Sequence, residues 1–338
     1  MRIDKRSDSI LLYEEDRQGQ RSDFRSSGRP GGSSMGELKT EFNAKQILMA
    51  DMLLVLVALI WGAGIPMSAL LARTITPLWA VALRMLLAAF FLILIFPQKI
   101  ITSTRRDWAI SSILTAVLTG VFISMTFGLV YSTASKQAFI GGLNVILVPV
   151  FVWIIYKTKP SLWIFAGAGI TTLGLLVMGF TPGMEFNSGD FLSFIMAIFY
   201  AFQVLAAGFG ARRVEPYRLV ALHIIMLAAV MTILACIFEP LPEIGSFSIK
   251  IWATLLCVSL GNTILCFIIQ FKAQRITPES HVAVIFSLEG LFGYMVAVLS
   301  GQDPFHLQGA FGGMLVIAGM MLTETETFLK QRRSPKQL

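Results

Sequence analysis

The chain repeatedly runs about 20 residues without a charge, and this limits its fold more than any other feature. Such runs lie at 52–72, 108–135, 137–156, 160–184, 191–211, 251–271 and 304–323. A helix rises 1.5 Å per residue, so about 20 apolar residues cross the hydrocarbon core of a bilayer. Three more apolar spans each hold ionisable groups: 78–96 has Arg84, 219–238 has His223, and 280–302 has His281 and Glu289. Hydrophobic residues make up 55% of the chain and charged residues 14%, too little polar surface for a soluble protein of this length. The expectation is an all-α integral membrane protein of ten transmembrane helices.

The chain also repeats itself. Residues 51–90 laid over 190–229, at a constant offset of 139, match at ten of forty positions. Asp51 falls on Asp190, Arg73 on Arg212, Pro77 on Pro216 and Val81-Ala82-Leu83 on Val220-Ala221-Leu222, while Trp61 meets Tyr200 and Arg84 meets His223. Further on, Pro149-Val150-Phe151 corresponds to Gly290-Leu291-Phe292, and Gly167 and Gly174 correspond to Gly312 and Gly319. The expected organisation is a cytoplasmic disordered tail over 1–48, a first repeat over 49–181, a second over 188–323, and a basic cytoplasmic tail over 324–338. Five helices is an odd number, so the second copy enters the membrane from the opposite side and the repeats are inverted.

Loop charge sets the orientation. With the amino terminus inside, 23 of the 27 Lys and Arg residues fall in inside segments and three in outside ones, Arg73, Lys136 and Lys250. Cytoplasmic loops carry the excess of Lys and Arg, so both termini are expected in the cytoplasm of a cell bounded by this plasma membrane. The same bias accounts for the net charge of +7 through lipid headgroups, with no nucleic acid as partner. Met35 is an alternative start. The three cysteines, Cys236, Cys257 and Cys266, sit inside apolar spans and offer neither a disulfide framework nor metal-ligand spacing. The chain has no phosphate-binding glycine loop, HExxH or G-x-S-x-G, so no enzyme chemistry, cofactor or metal is expected. No loop is long enough for a nucleotide-hydrolysing domain, which leaves a gradient or exchange as the energy source.

Several stretches resemble the EamA-type drug/metabolite transporters of ten transmembrane helices. They are Ile60-Trp61-Gly62, Ala82-Leu83-Arg84, and Tyr131 to Lys136 leading into Phe139-Ile140-Gly141-Gly142-Leu143 and Val148-Pro149-Val150-Phe151. In the second copy, Ser287-Leu288-Glu289-Gly290-Leu291-Phe292 looks like the family's Glu-Pro segment, with glycine in place of the proline. Gly301-Gln302-Asp303 departs from the Gly-Glu often found before the last helix. The resemblance covers roughly residues 50–323 and implies export or exchange of small metabolites through a central cavity.

Among the residues themselves, Glu289 is the sharpest candidate. An ionised carboxylate about ten residues into a span is costly unless it is paired or faces water. A protonation switch, a substrate-amine contact and a structural ion pair are all open to it, and His281 lies two turns away on the same predicted helix. Arg84 either snorkels to the outer interface or faces the bundle as an anion contact. Gln137, Gly141, Asn144 and Val148 form a polar and small stripe that reads equally as substrate contact or helix packing. Lys136 reads as an outer-interface residue. Trp61 and Tyr200 read as a cavity wall or as core, Gln203, Asn262 and Gln270 as weaker polar candidates, and His223 as an interface residue. Gly62, Gly64 and Pro66 predict a bend in the first helix. Gly309 and Gly313 form a GxxxG pair, either close-packed within the bundle or the seam of a homodimer.

These observations favour a secondary transporter, an exporter or exchanger, moving small polar or amphipathic molecules by alternating access. The alternative is a non-transporting membrane receptor or assembly subunit on the same scaffold.

Overall fold

A computed structural model of the chain describes residues 44–72, 74–132, 137, 140–179, 187–301 and 304–333. The chain divides after Glu41, and the part before it lies outside the described residues. So do the alternative start at Met35, the loop cations Arg73 and Lys136, the Gln302-Asp303 pair and the last five residues.

Every regular element among the described residues is helical. Helix α1 spans Ala44–Ala72, so it begins inside the stretch expected as tail. It is followed by α2 (Pro77–Ile95), the short α3 (Pro97–Ile101) and α4 (Arg105–Tyr131). Then come α5 (Asn144–Tyr156), α6 (Leu162–Gly179), α7 (Ser188–Ala211) and α8 (Pro216–Phe238). Helix starts follow local chemistry. Pro77, Pro97 and Pro216 each open a helix, where a missing N–H costs nothing. Thr104 with Asp107, and Asn187 with Asp190, form capping boxes that satisfy the first N–H groups of α4 and α7. Glu239, at the end of α8, accepts from the N–H groups of Leu78 and Trp79 at 3.0 Å each and so caps α2 from a neighbouring helix.

Three of the predicted spans are not continuous α-helices. Over 251–271, α9 (Ile249–Cys257) and α10 (Cys266–Ala273) flank a π-helical stretch, Val258–Leu265. Over 280–302, α11 (Glu279–Phe286) and α12 (Leu288–Leu299) meet at Ser287. There the Ser287 hydroxyl donates to the Val284 carbonyl at 2.5 Å, and its N–H is shared between Ala283 and Val284 at 3.3 Å. His281 and Glu289 therefore lie on separate segments, not on one helix face as expected. Over 137–156 the regular helix starts only at Asn144, after tight bonds from Leu143 N to Ile140 O and from Val145 N to Gly142 O, both 3.1 Å. The expected stripe from Gln137 to Val148 thus crosses a turn at Gly142-Leu143. Nine helical stretches among the described residues are long and apolar enough to cross a bilayer, and α5 is shorter. The last helix, α13 (Leu307–Arg333), continues well beyond its apolar part.

Lipid tails are as apolar as leucine, so helices in a bilayer hold together by close packing. Helix α6 packs on α13, α4 on α7, α2 on α8, and α1 on α12 and α10. The α6–α13 contact depends on glycine. A Cβ at Gly174 would lie 2.6 Å from the Gly312 carbonyl oxygen and 2.8 Å from the Val316 nitrogen. A Cβ at Gly167 would lie 2.7 Å from the Gly319 carbonyl oxygen, whereas one at Gly169, on the same helix, would meet nothing within 4 Å. Gly174→Ala is expected to cost roughly 1–3 kcal/mol and lower the melting temperature of the detergent-solubilised protein, while Gly169→Ala leaves it unchanged. Equal melting of the two variants would refute this packing.

Candidate functional site

The backbone irregularities converge on one region. Pro66 lies inside α1 and has no N–H, so the Gly62 carbonyl lacks its helical donor. One turn earlier, the Trp61 indole N–H donates to the Asn262 carbonyl in the π-helical stretch at 2.8 Å. The Asn262 side-chain amide donates back to the Ile60 carbonyl at 3.0 Å. This double tie fixes Trp61, whose ring stands edge-on to Phe286 at 5.0 Å and to Phe267 at 5.9 Å between centroids. Gly64 makes room for it, because a Cβ there would overlap the Asn262 side chain. On the same helix, a Cβ at Gly62 would lie 2.7 Å from the Glu289 carbonyl oxygen, which brings α1 and α12 backbone to backbone.

The same π-helical stretch holds Arg84 of α2. Arg84 Nε donates to Thr263 Oγ1 at 2.7 Å, and the Ser259 hydroxyl donates to the Arg84 carbonyl at 3.0 Å. The wider turn lets the Thr263 hydroxyl donate five residues back, to the Val258 carbonyl at 3.1 Å, leaving its lone pair for the guanidinium. Arg84 thus turns into the bundle; the outward reach to the interface is not taken. The Tyr200 phenol and the Glu289 carboxyl lie within electrostatic reach of it and of each other. Among the described residues no ion pair within 4 Å joins Arg84 to Glu289. Trp61, Arg84, Tyr200 and Glu289 are all half-buried, so each keeps accessible surface. A guanidinium held by Nε alone presents its Nη edge as a fork for a carboxylate or phosphate. The nearby carboxyl can take a proton or a cation.

The remaining sequence candidates are dispersed. Gln137 is buried, and its amide donates to the Met125 carbonyl at 2.8 Å, which serves the end of α4. Gln203 is buried on α7, three residues beyond Tyr200, and Asn144 is half-buried at the head of α5. Gln270 donates to the Gln274 side chain at 2.9 Å, which in turn donates to the Val204 carbonyl at 3.0 Å. His223 is fully buried rather than at an interface. Its Nδ1 lies 3.2 Å from the Thr115 hydroxyl and its ring packs edge-on to Phe267 at 5.5 Å, because α8 packs on both α4 and α10 at that level. Gly309 and Gly313 both face α12, against Tyr294 and Leu291, so the pair is used within the chain.

Sequence reasoning missed Ser259 and Thr263. The signal was present: Ser259, Gly261, Asn262 and Thr263 crowd five positions of an otherwise apolar span. It also missed the polar contacts at the start of α11, where Glu279 pairs with Arg212 at the end of α7 and His281 Nδ1 lies 3.3 Å from Glu324 Oε1 of α13.

Comparison with known proteins agrees with this architecture. The sequence profile of the EamA-like transporter family matches residues 48–180 and again 187–325. A protein of Archaeoglobus fulgidus named as an uncharacterized transporter is 25% identical over 278 residues, covering 81% of this chain and 85% of its own. One of Methanothermobacter thermautotrophicus with the same name is 24% identical over 228 residues, covering 64% of this chain and 65% of its own. A solved crystal structure superposes with a TM-score of 0.71 over 85% of this chain and 99% of its own, at 15% identity, and so shares the fold. With two family matches that together span most of its length, the chain belongs to the EamA-like transporter family and is a multi-pass membrane transporter.

Proposed function

We propose that this protein is a secondary transporter of small polar or amphipathic metabolites, working by alternating access of two inverted five-helix halves in the cytoplasmic membrane, with both termini in the cytoplasm. The observation that carries the reading is the half-buried Arg84, tied through Nε to Thr263 and within electrostatic reach of Glu289 and Tyr200, between helices of both halves.

Helix pairing supports inversion. Number the spans of each copy one to five, with 137–156 as the fourth of the first copy. Exchanging the copies then carries α6 on α13 and α2 on α8 onto themselves, and α4 on α7 onto α10 on α1. The glycine contacts follow the same exchange. Gly167 meets Gly319 and Gly174 meets Gly312, and swapping each residue for its repeat partner turns one contact into the other. A two-fold axis between the copies produces this crossing. The loop bias of Lys and Arg supports the cytoplasmic termini.

In this reading the Arg84 fork receives an anionic group of the substrate. Glu289 receives a cationic group or a proton, and Trp61, Tyr200 and Asn262 line the same space. Gln203, buried on α7, and Asn144, at the head of α5, stand apart from this group. Gln137 contributes to the scaffold.

Untargeted metabolite comparison of overexpressing and deleted cells identifies the substrate, and flux in proteoliposomes then tests the site. Arg84→Gln is expected to lose tenfold or more of transport at normal membrane abundance, on the order of 1.5–3 kcal/mol for one charge-assisted contact. Arg84→Lys should retain part of it. Full transport by Arg84→Gln would remove Arg84 from the site. Binding without flux in the wild-type protein would make it a receptor instead. Glu289→Gln, fixed in the neutral state, is expected to abolish the pH dependence of gradient-driven uptake between about pH 5.5 and 8 while sparing substrate counterflow. A pH profile identical to the wild type would leave Glu289 a structural group.

A further inference from the structure

At the end of the bundle where α1 begins, the Thr277 hydroxyl, in the turn between α10 and α11, donates to Asp51 Oδ1 at 2.7 Å. At the end of α4, the Ser132 hydroxyl donates to Asp190 Oδ1 of α7 at 2.5 Å. Both aspartates are buried. They are also repeat partners, falling on each other at the offset of 139, and the hydroxyls come from corresponding turns, after the third span of each copy. Each bond crosses between copies. Asp51 of the first is held by Thr277 of the second, and Asp190 of the second by Ser132 of the first.

The two bonds stand at opposite ends of the bundle. Thr277 is two residues from Glu279, which pairs with Arg212 where α7 ends. Asp190 is in the first turn of α7, 22 residues earlier and so about 33 Å away along the helix. Their described surroundings differ. Asp51 has His281 and Glu324 within electrostatic reach, whereas Asp190 Oδ2 also accepts from the Asn187 N–H at 3.0 Å to cap its own helix.

We propose that Asp51–Thr277 and Asp190–Ser132 are a matched pair of latches, one at each mouth, and that opening the cavity to either side breaks the latch at that mouth and keeps the other. The inference rests on the alternating-access reading. A carboxylate held by a hydroxyl away from water is a strong tie, and water entering an open mouth replaces the hydroxyl, which keeps the exchange reversible. Both latches are made in this structure, so it is closed at both of these points.

Spin labels read the two mouths without any substrate. In full-length protein in nanodiscs, with Cys236, Cys257 and Cys266 replaced by alanine, one cysteine pair is placed at Leu48 and Arg275 and another at Tyr131 and Phe191, all exposed positions. Thr277→Val is expected to raise the ratio of long to short distances roughly tenfold or more at the first pair and not at the second. Ser132→Ala, which leaves the Asp190 cap intact, should do the reverse. Should Thr277→Val fail to fold, Asp51→Asn, equal in size and without the charge, is read the same way. Two distances at each mouth in the wild type, with no shift in either variant, would overturn the latches alone. One unchanging distance at both mouths in every variant would overturn them together with alternating access. Both mouths widening in a single variant would mean general loosening and would also overturn the proposal.

Discussion

Hydrocarbon offers no hydrogen-bond partner, and the interior of this protein is organised by that constraint. A polar group within a span is costly unless it is answered, and those around Arg84 are answered by other parts of the chain. Arg84 is answered by Thr263, and Thr263 can answer because the eighth span widens into a π-helical turn. Within that turn, the Asn262 amide and carbonyl tie Ile60 and Trp61 of α1. One local departure from α-helical geometry thus joins three helices, two from the first copy and one from the second. Remove it, and a guanidinium, an indole N–H and a backbone carbonyl all lose their partners at once.

Close approach is the second consequence of the same constraint. With no hydrophobic force to drive helices together, contacts tighten where side chains are missing, at Gly62 against α12 and along the glycines of α6 and α13. Two irregular places in the backbone, Ser287 just before Glu289 and the turn at Gly142-Leu143 before Asn144, fall at comparable points in the fourth span of each copy. Glu289 therefore sits in the first turn of a half-helix, beside a joint in the backbone.

Much of the architecture was legible in the sequence because its signals are long. Runs of twenty apolar residues and forty aligned residues do not depend on any single contact. Arg84 and Glu289 stood out because a charge inside a span is costly and therefore informative. The misread features were short. A π-helical turn changes hydrogen-bond register without changing composition, so the span at 251–271 looked like any other helix. Ser287 looked continuous with its neighbours, although its hydroxyl competes for a backbone carbonyl. His223 looked like an interface residue by its distance from the helix end, but α4 and α10 cover it. Gln137 belonged to the predicted stripe by spacing, yet it spends its amide on the Met125 carbonyl.

In the proposed transporter the two copies face opposite ways across the membrane, and the crossed glycine contacts, the site between halves and the two mouths all depend on that. Sided labelling of single cysteines in intact cells tests it directly. With the three native cysteines replaced, Ser188→Cys, at the head of α7, should react with a membrane-impermeant maleimide from outside. Arg275→Cys, in the turn before α11, should react only after the membrane is permeabilised. Labelling of both positions from the same side would contradict the inverted repeat.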